Sequence, residues 1–396
     1  MQKTILAAIL SATIAGSGTC TAGTLEDELE AIKARLNAVE QQLKDQIRAN
    51  EEKERRLAEQ DREIADLRQS EVSSSGGGWF QSVELGGVVE IAAGYTDPAT
   101  GDSASDIVVA TAEIGIGAKI NNWVTGEITL LYEEDDTDLK VDVAMISIAD
   151  PKGPWIVSAG QQYVPFGTYE TNLVSDPLTL EIGETRETAV LAGMDRNGLR
   201  GGVYIFNGDL EKDGDIAIGA FAGYRGDYED AALTLNMGYI SDIGNSDNLQ
   251  QTIKENIDAN STDYEGEVPG ATVDLTLTVG PFVLITEYTT ATDSFHSNEL
   301  EFNGKGAKPS ALNVEAGYNF KLAGKDATVA IAYQETSEAV ALGLPEMRVA
   351  AAFSVGVMEN TTLSLEWAHD DDYSTADGGT GENGGNTVTG QIAVEF

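Results

Sequence analysis

The chain has 396 residues, and its 66 Asp and Glu residues against 24 Lys and Arg residues give a formal net charge of −42. This acid excess excludes nucleic-acid binding through phosphates, which requires a basic surface. After the N-terminus there is no apolar run of about 18 residues, so the sequence predicts no transmembrane helix; a membrane β-barrel needs no such run.

Residues 1–22 have the pattern of a secretory signal peptide. Lys3 gives a positive start, residues 4–15 form an apolar run too short to span a bilayer, and small residues precede a predicted cleavage after Ala22. Cleavage there removes Cys20, the only cysteine, so the mature chain has no disulfide. The alternative is a lipoprotein modified on Cys20, but residues 17–19 lack the leucine-like residue typical of such a site.

Residues 23–72 show a heptad repeat that predicts a coiled-coil stalk in the periplasm. Apolar residues recur every seven positions, at Leu29, Leu36, Leu43, Leu57 and Ile64. The alternative is a single charged helix, since polar residues stand at several d positions of the heptad, where a coiled coil needs apolar ones. Residues 73–78, Ser-Ser-Ser-Gly-Gly-Gly, form a flexible linker and mark a domain boundary.

From residue 79 to residue 396 the heptads give way to alternation of apolar and polar residues, which is typical of strands with one lipid-facing side. The last strand shows it clearly: Val388, Gly390, Ile392, Val394 and Phe396 share one face. We therefore predict an all-β transmembrane barrel of about 16 antiparallel strands. The strands are expected at about residues 80–95, 110–120, 124–133, 139–145, 155–163, 187–194, 198–207, 214–226, 230–241, 270–280, 282–291, 310–321, 325–335, 345–356, 361–371 and 387–396.

The connections between these strands alternate between tight turns and long loops. That alternation is typical of outer-membrane barrels, whereas a soluble β-sandwich does not sort its loops in this way. Within the loop at 242–269, residues 247–260 have a helical pattern and are expected to pack on the mouth of the barrel.

A constriction is predicted from the acidic connection 164–186, which by count is the third external loop. In 16-stranded porins this loop folds into the lumen, and we expect the same here from resemblance to that architecture. Its carboxylates would face cations on the inner wall and create a transverse field that selects solutes; the alternative is charges scattered along a solvated lumen. The candidates are Glu170, Asp176, Glu181, Glu184, Lys119, Lys140, Arg200, Arg225 and Arg348.

The sequence offers no catalytic, cofactor or metal site. His296 and His369 fall in or beside loops without a nucleophile at motif spacing, and no phosphate-binding Gly-Lys-Ser/Thr element occurs. Asp-rich stretches near the rims are interpreted as solvated. We therefore expect a protein that is not an enzyme.

Two sequence elements resemble a known family. Gly-Gln-Gln-Tyr-Val-Pro-Phe-Gly at 160–167 and Ser-Asp-Pro-Leu-Thr-Leu at 175–180, together with the stalk and the barrel, are similar to the LbtU-type siderophore porin family of Gram-negative bacteria. The resemblance implies an outer-membrane protein that takes up ferric siderophore chelates.

The acid excess, in contrast, favours cations. The alternatives are therefore a general cation-preferring diffusion porin and a structural tether that reaches from the outer membrane to the cell wall through the coiled coil. The expected partners are outer-membrane lipid and lipopolysaccharide, the transported solute, and further copies of the chain, with a trimer as the first expectation.

Overall fold

The computed structural model describes residues 80–134, 137–210, 216–381 and 383–396. The predicted signal peptide, coiled coil and linker lie outside these residues. The strands are β1 Ser82–Asp97, β2 Ala104–Lys119, β3 Val124–Glu133, β4 Thr137–Ala149, β5 Trp155–Tyr163, β6 Arg186–Arg196, β7 Leu199–Phe206, β8 Ala217–Asp227, β9 Ala231–Ile240, β10 Gly270–Val279, β11 Phe282–Ala291, β12 Glu301–Phe302, β13 Lys305–Gly306, β14 Ser310–Leu322, β15 Lys325–Ser337, β16 Met347–Met358, β17 Thr361–Asp371 and β18 Asn383–Glu395. The helices are α1 Leu178–Gly183 and α2 Asp247–Asn260.

Sixteen of these strands form one closed antiparallel barrel, which confirms the predicted barrel and its strand number. Each strand pairs with its neighbours along the chain, and β1 closes the ring on β18. The short hairpin β12–β13 stands apart from the barrel and was not predicted. The boundaries differ most at β2, which begins at Ala104 where the alternation placed its start near 110, and at β18, which begins at Asn383.

The seam between the first and last strands is closed by main-chain pairing up to Phe396. The Phe396 N–H donates to the Gly87 carbonyl at 3.0 Å, and the Gly87 N–H donates to the Phe396 carbonyl at 2.9 Å. The Phe396 ring lies over Gly87, where a Cβ atom would come within 2.8 Å of the ring. Only glycine leaves room for this packing, and the paired edge leaves no free strand at the seam.

The outer surface of the barrel is apolar, as the alternation predicts. Large side chains such as Ile107, Leu139 and Ile331 are 71%, 69% and 64% exposed. Aromatic residues also point outward, including Trp123, Trp155, Tyr239, Tyr288, Tyr318 and Trp367. In water such a surface is unfavourable by roughly 25 cal/mol for each Å² of apolar area, so it suits a hydrocarbon environment.

In the residues that the structure describes, no helix is both long and apolar enough to cross a bilayer.

The two ends of the barrel differ in the length of their connections. One end, the short-turn rim, carries tight links such as residues 197–198 and 323–324, where Asn197 and Gly324 adopt φ angles of 56° and 84°. The other end, the long-loop rim, carries the connections 164–185, 241–269, 292–309, 338–346 and 372–382. This segregation follows the prediction, and it places the larger loops around one mouth.

A hydrophobic core lies at the long-loop rim and is built mainly by loops. It joins Phe166, Leu178 and Ile182 of the connection 164–185 to Ile243, Leu249 and Ile253 of the connection 241–269, and to Phe295 and Leu300 of the connection 292–309. These loop side chains are 0–3% exposed. The predicted helix at 247–260 is confirmed as α2, and its buried face contributes Leu249 and Ile253. The packing indicates that these loops are fixed in place.

Candidate channel constriction

The connection 164–185, hereafter the constriction loop, leaves β5 and returns into β6. Its base is closed by a bond from the Val164 N–H to the Thr185 carbonyl at 3.0 Å. Phe166, 1% exposed, packs beside Gly238 of β9, where a Cβ atom would come within 3.2 Å of its ring. The loop therefore starts at one side of the barrel and immediately reaches β9.

Three buried glutamates of the opposite wall hold this loop. Glu287 on β11, Glu315 on β14 and Glu366 on β17 are 2%, 1% and 3% exposed. They have the opposite phase to exposed neighbours such as Tyr288, so they point into the lumen. We call these three residues the clamp glutamates.

Glu287 accepts hydrogen bonds from two consecutive loop amides. The Thr168 N–H donates to Oε1 at 3.0 Å, and the Tyr169 N–H donates to Oε2 at 3.1 Å. The Thr179 hydroxyl of α1 donates to Oε2 at 3.0 Å. One carboxylate thus joins the outgoing and returning halves of the loop.

The other two clamp glutamates repeat this pattern along the loop. Glu315 accepts from the Asn172 N–H at 2.9 Å, from the Asn172 side-chain amide at 2.6 Å and from the Thr171 hydroxyl at 2.7 Å. Glu366 accepts from the Val174 N–H, from the Ser175 N–H at 3.1 Å and from the Ser175 hydroxyl at 2.6 Å.

The clamp thus satisfies buried carboxylates with amide and hydroxyl donors. Hydrogen bonds to a charged acceptor are among the stronger ones in proteins, and a buried carboxylate requires them. Because the loop follows β11 to β17, the opposite part of the lumen stays open.

That open part forms a cavity of about 1120 Å³ between the constriction loop, α2 and the strands β2 to β6. Nine carboxylates line it: Glu133, Asp176, Glu181, Glu184, Glu187, Asp209, Asp247, Glu255 and Asp258. Three cations line it: Lys140, Arg186 and Lys254. The cavity is therefore strongly acidic.

Two of the three lining cations are engaged by carboxylates. Arg186 Nη1 donates to Asp142 Oδ1 at 2.9 Å, and Lys254 Nζ lies 3.2 Å from Asp209 Oδ2. The Asp142 side chain is only 5% exposed, so its pair with Arg186 is screened less than the pair with exposed Lys254. Pairing leaves the carboxylates to dominate the potential in the cavity.

Glu184 on the constriction loop has an unusual protonation behaviour. Its pKa is raised to about 7, first by burial and then by repulsion from Asp247, Asp176 and Asp142, while Arg186 opposes the shift. One carboxylate of the lining thus changes its charge near neutral pH.

The structure brings together four of the nine residues predicted for the constriction. Asp176, Glu181, Glu184 and Lys140 line the same cavity, and the Asn248 side chain of α2 donates to Glu181 at 3.1 Å.

The other five predicted residues lie elsewhere. Glu170 accepts from the Thr276 hydroxyl of β10 at 2.8 Å. Exposed Lys119 and Arg225 lie near the short-turn ends of β2 and β8.

The two remaining arginines are hydrogen-bonded to wall residues. Arg200 Nε donates to Asn236 Oδ1 at 2.9 Å. Arg348 forms a bidentate pair with Asp370 at 2.7 and 2.9 Å.

Sequence reasoning missed Arg186, Lys254 and the clamp glutamates. Arg186 is the first residue of β6, directly after the loop, and its proximity to the loop carboxylates in the sequence was an available signal. The clamp glutamates have the inward phase of their strands, but phase alone does not distinguish a side chain that holds a loop from one that faces water.

The described residues contain no group of three or more His, Cys, Asp or Glu side chains arranged to hold a metal ion. His296 lies 3.7 Å from Glu265, and His369 lies 3.6 Å from Asp371.

Relatives were found by sequence. A UPF0422 protein of Coxiella burnetii is 29% identical over 314 residues, which cover 76% of this chain and 67% of the relative. The UPF0422 protein lpl2888 of Legionella pneumophila is 28% identical over 364 residues, which cover 79% of this chain and 66% of the relative. The chain thus spans about two thirds of the length of these curated relatives. No family model matches the sequence.

Solved structures with a similar architecture include an outer-membrane channel and a porin. OmpF of Salmonella typhi, solved in complex with daunomycin, superposes with a TM-score of 0.56 at 15% identity, covering 79% of this chain and 97% of OmpF. The chain has the fold of the outer-membrane porins. The channel DcaP of Acinetobacter baumannii gives a TM-score of 0.55 at 14% identity, covering 80% of this chain and 97% of DcaP. An anion-selective porin of Comamonas acidovorans gives 0.52 at 13% identity, covering 80% and 99%.

Proposed function

We propose that this chain forms an outer-membrane diffusion channel that favours small cationic solutes over anions. The observation that carries the proposal is the cavity beside the constriction loop, where nine carboxylates face three cations. The porin fold supports the location and the general role.

The sign of the preference follows from electrostatics inside a narrow passage. Lining charges act across a few ångströms in a medium of lower dielectric than bulk water, so they attract counter-ions and repel ions of like charge. A fixed loop keeps these charges in place while solutes pass. The clamp glutamates supply that fixation, because each holds the loop through three hydrogen bonds.

The test is the reversal potential of the purified protein in a planar lipid bilayer under a potassium chloride gradient. We expect a potential of the sign that reports cation preference, and a smaller one for the variant Asp176→Asn/Glu181→Gln/Glu184→Gln. The control removes a single exposed carboxylate near the short-turn rim, Glu229→Gln, and should leave the potential close to that of the wild type. An anion-selective wild type would contradict the proposal.

A second candidate is uptake of ferric siderophore chelates. The two sequence elements that carry the family resemblance, 160–167 and 175–180, are both part of the constriction: the first leads into the loop and the second includes the start of α1. The acidic lining restricts this candidate to neutral or positively charged chelates.

Radioiron uptake under iron starvation, with and without the gene, tests the siderophore candidate. Reduced uptake in the deletion strain is expected. Equal uptake would leave the general diffusion channel as the function.

The tether, the trimer and the contact with lipopolysaccharide also stay proposals. If residues 24–72 form a tether to the cell wall, deleting them should cause an envelope defect while channel conductance survives. If the stalk has no such role, the envelope should stay intact. Chemical cross-linking in the native membrane measures the number of copies, for which we expect three.

A further inference from the structure

Two fully buried amides lie between the constriction loop and the barrel wall without a full set of hydrogen bonds. Asn313 on β14 is 0% exposed, and within the described residues neither its Oδ1 nor its Nδ2 atom has a partner. Gln334 on β15 is also 0% exposed. Its Oε1 accepts from the Leu178 N–H of α1 at 3.1 Å, whereas its Nε2 has no partner among those residues.

The register of the barrel places these side chains next to each other. Asn313 pairs directly with Gln334 on one side and with Glu287 on the other. Directly opposed residues in an antiparallel sheet have Cβ atoms about 5 Å apart, so one small group can reach both amides. The helix α1 covers this place, because it bonds to Gln334 through Leu178 and to Glu287 through Thr179.

Three unpaired polar atoms at one buried place are costly, since each loses about 1 to 3 kcal/mol of hydration without compensation. Their chemistry restricts what can satisfy them. The bond from Leu178 fixes the orientation of the Gln334 amide, so its Nε2 must donate. Asn313 offers one donor and one acceptor whichever way its amide is turned.

The group that fits must accept two hydrogen bonds and donate one. A cation is opposed by the two amide NH₂ groups, and an anion is opposed by the Asn313 carbonyl and by the neighbouring Glu287 carboxylate. Water both accepts and donates, and a buried water typically makes about three hydrogen bonds.

We propose that a buried water molecule lies between α1 and the barrel wall, hydrogen-bonded to Asn313 and Gln334. This water completes the attachment of α1, which carries Leu180 and Glu181 on the lining of the cavity. The loop is thus attached to the wall in two ways, through the clamp glutamates and through a hydrated contact beneath α1. The proposal does not depend on the ion preference of the channel.

The first test is a crystal structure of the wild-type protein at a resolution that shows ordered water. We expect a density peak within hydrogen-bond distance of Gln334 Nε2 and of the Asn313 amide. A map without such a peak at this place would overturn the proposal.

The second test uses an apolar substitution of similar size, Asn313→Leu, because both polar atoms of Asn313 lack a partner within the described residues. Replacing a truly unpaired buried amide is neutral or stabilising, whereas removing a partner of a bound water is destabilising. We expect the unfolding equilibrium constant in detergent to rise about fivefold to thirtyfold for Asn313→Leu. The control is Asn319→Leu on the same strand, where the residue is exposed.

Stability equal to or above the wild type in Asn313→Leu would overturn the proposal. If that variant does not fold, the wild-type map still decides. Neither measurement uses channel activity, so a failure of the proposed function is distinguishable from a failure of this inference.

Discussion

Two of the clamp glutamates, Glu287 and Glu315, differ in how many of their oxygens accept a main-chain N–H, and this difference gives a testable prediction. Both oxygens of Glu287 accept main-chain N–H groups, Thr168 on Oε1 and Tyr169 on Oε2. A glutamine has one oxygen and one NH₂ group. In Glu287→Gln the NH₂ group must therefore face a main-chain N–H in either orientation, and at least one part-buried N–H of the loop loses its acceptor.

Glu315 provides the matched control. Its Oε1 accepts both donors of Asn172, and its Oε2 accepts only the Thr171 hydroxyl. In Glu315→Gln the amide oxygen can stay opposite Asn172 while the NH₂ group donates to the Thr171 hydroxyl, which is also an acceptor. Both glutamates are almost fully buried, and both variants lose one charge. The two variants therefore differ in how many carboxylate oxygens accept a main-chain N–H, two in Glu287 and one in Glu315.

The magnitude follows from the cost of leaving a main-chain donor unpaired against the buried residue 287. Leaving one main-chain N–H unsatisfied costs about 1 to 3 kcal/mol, and this cost falls on Glu287→Gln alone. The assay is equilibrium unfolding in detergent micelles for both variants, together with single-channel recording. We expect Glu287→Gln to be the less stable of the two by this amount and to show larger current fluctuations, because its loop is held less firmly.

Equal stability of Glu287→Gln and Glu315→Gln would refute the reasoning. It would mean that the loop amides reach other acceptors and that the carboxylates do not hold the loop through these bonds. Greater loss in Glu315→Gln would refute it equally.

Four further predictions concern the loops and β5. Because the pKa of Glu184 is raised to about 7, protonation between about pH 8 and pH 6 removes a negative charge from the cavity; cation preference, measured as reversal potential, should fall over that range and change less in Glu184→Gln. Asp242, 0% exposed, accepts four hydrogen bonds, and Asp242→Ala should destabilise the connection 241–269 by about 2 to 5 kcal/mol, seen as faster proteolysis of that connection. Burial also raises the pKa of Asp242 to about 6, so the folded state binds the proton more tightly than the unfolded state. Protection of the connection against proteolysis should therefore decrease as the pH rises from about 4 to 6, in the wild type but not in Asp242→Ala. At Gly160, where φ is 133°, a Cβ atom would lie 2.2 Å from the Ala144 carbonyl oxygen, so Gly160→Ala should lower the refolding yield in detergent.

The barrel could be predicted from the sequence because a membrane imposes a simple rule on every strand. Outward side chains must be apolar along the whole crossing, and turns at one rim stay short, so alternation and loop length both carry information. The strands β5 and β11 were predicted with the observed bounds, and the helical pattern at 247–260 corresponds to α2. Each of these signals is local in the sequence.

The arrangement of the constriction could not be predicted in the same way because its contacts are distant in the sequence. Thr168 and Glu287 are 119 residues apart, and Val174 and Glu366 are 192 residues apart. The sequence shows an acidic loop and inward carboxylates, and like charges suggest repulsion. The structure instead attaches the loop through its main-chain N–H groups, which have no sequence signature.

The acid excess of the chain therefore serves two different physical purposes, and only one concerns the solute. The clamp glutamates are buried under the loop, and their charge is compensated by hydrogen-bond donors. The cavity carboxylates line the open part of the lumen, and in the proposed channel they would act on passing ions. The predicted transverse field depends on which cations face that lumen. Because Arg348 is already bonded to Asp370 and Arg200 to Asn236, substitution of Lys140 on the cavity wall is the more direct test of that field.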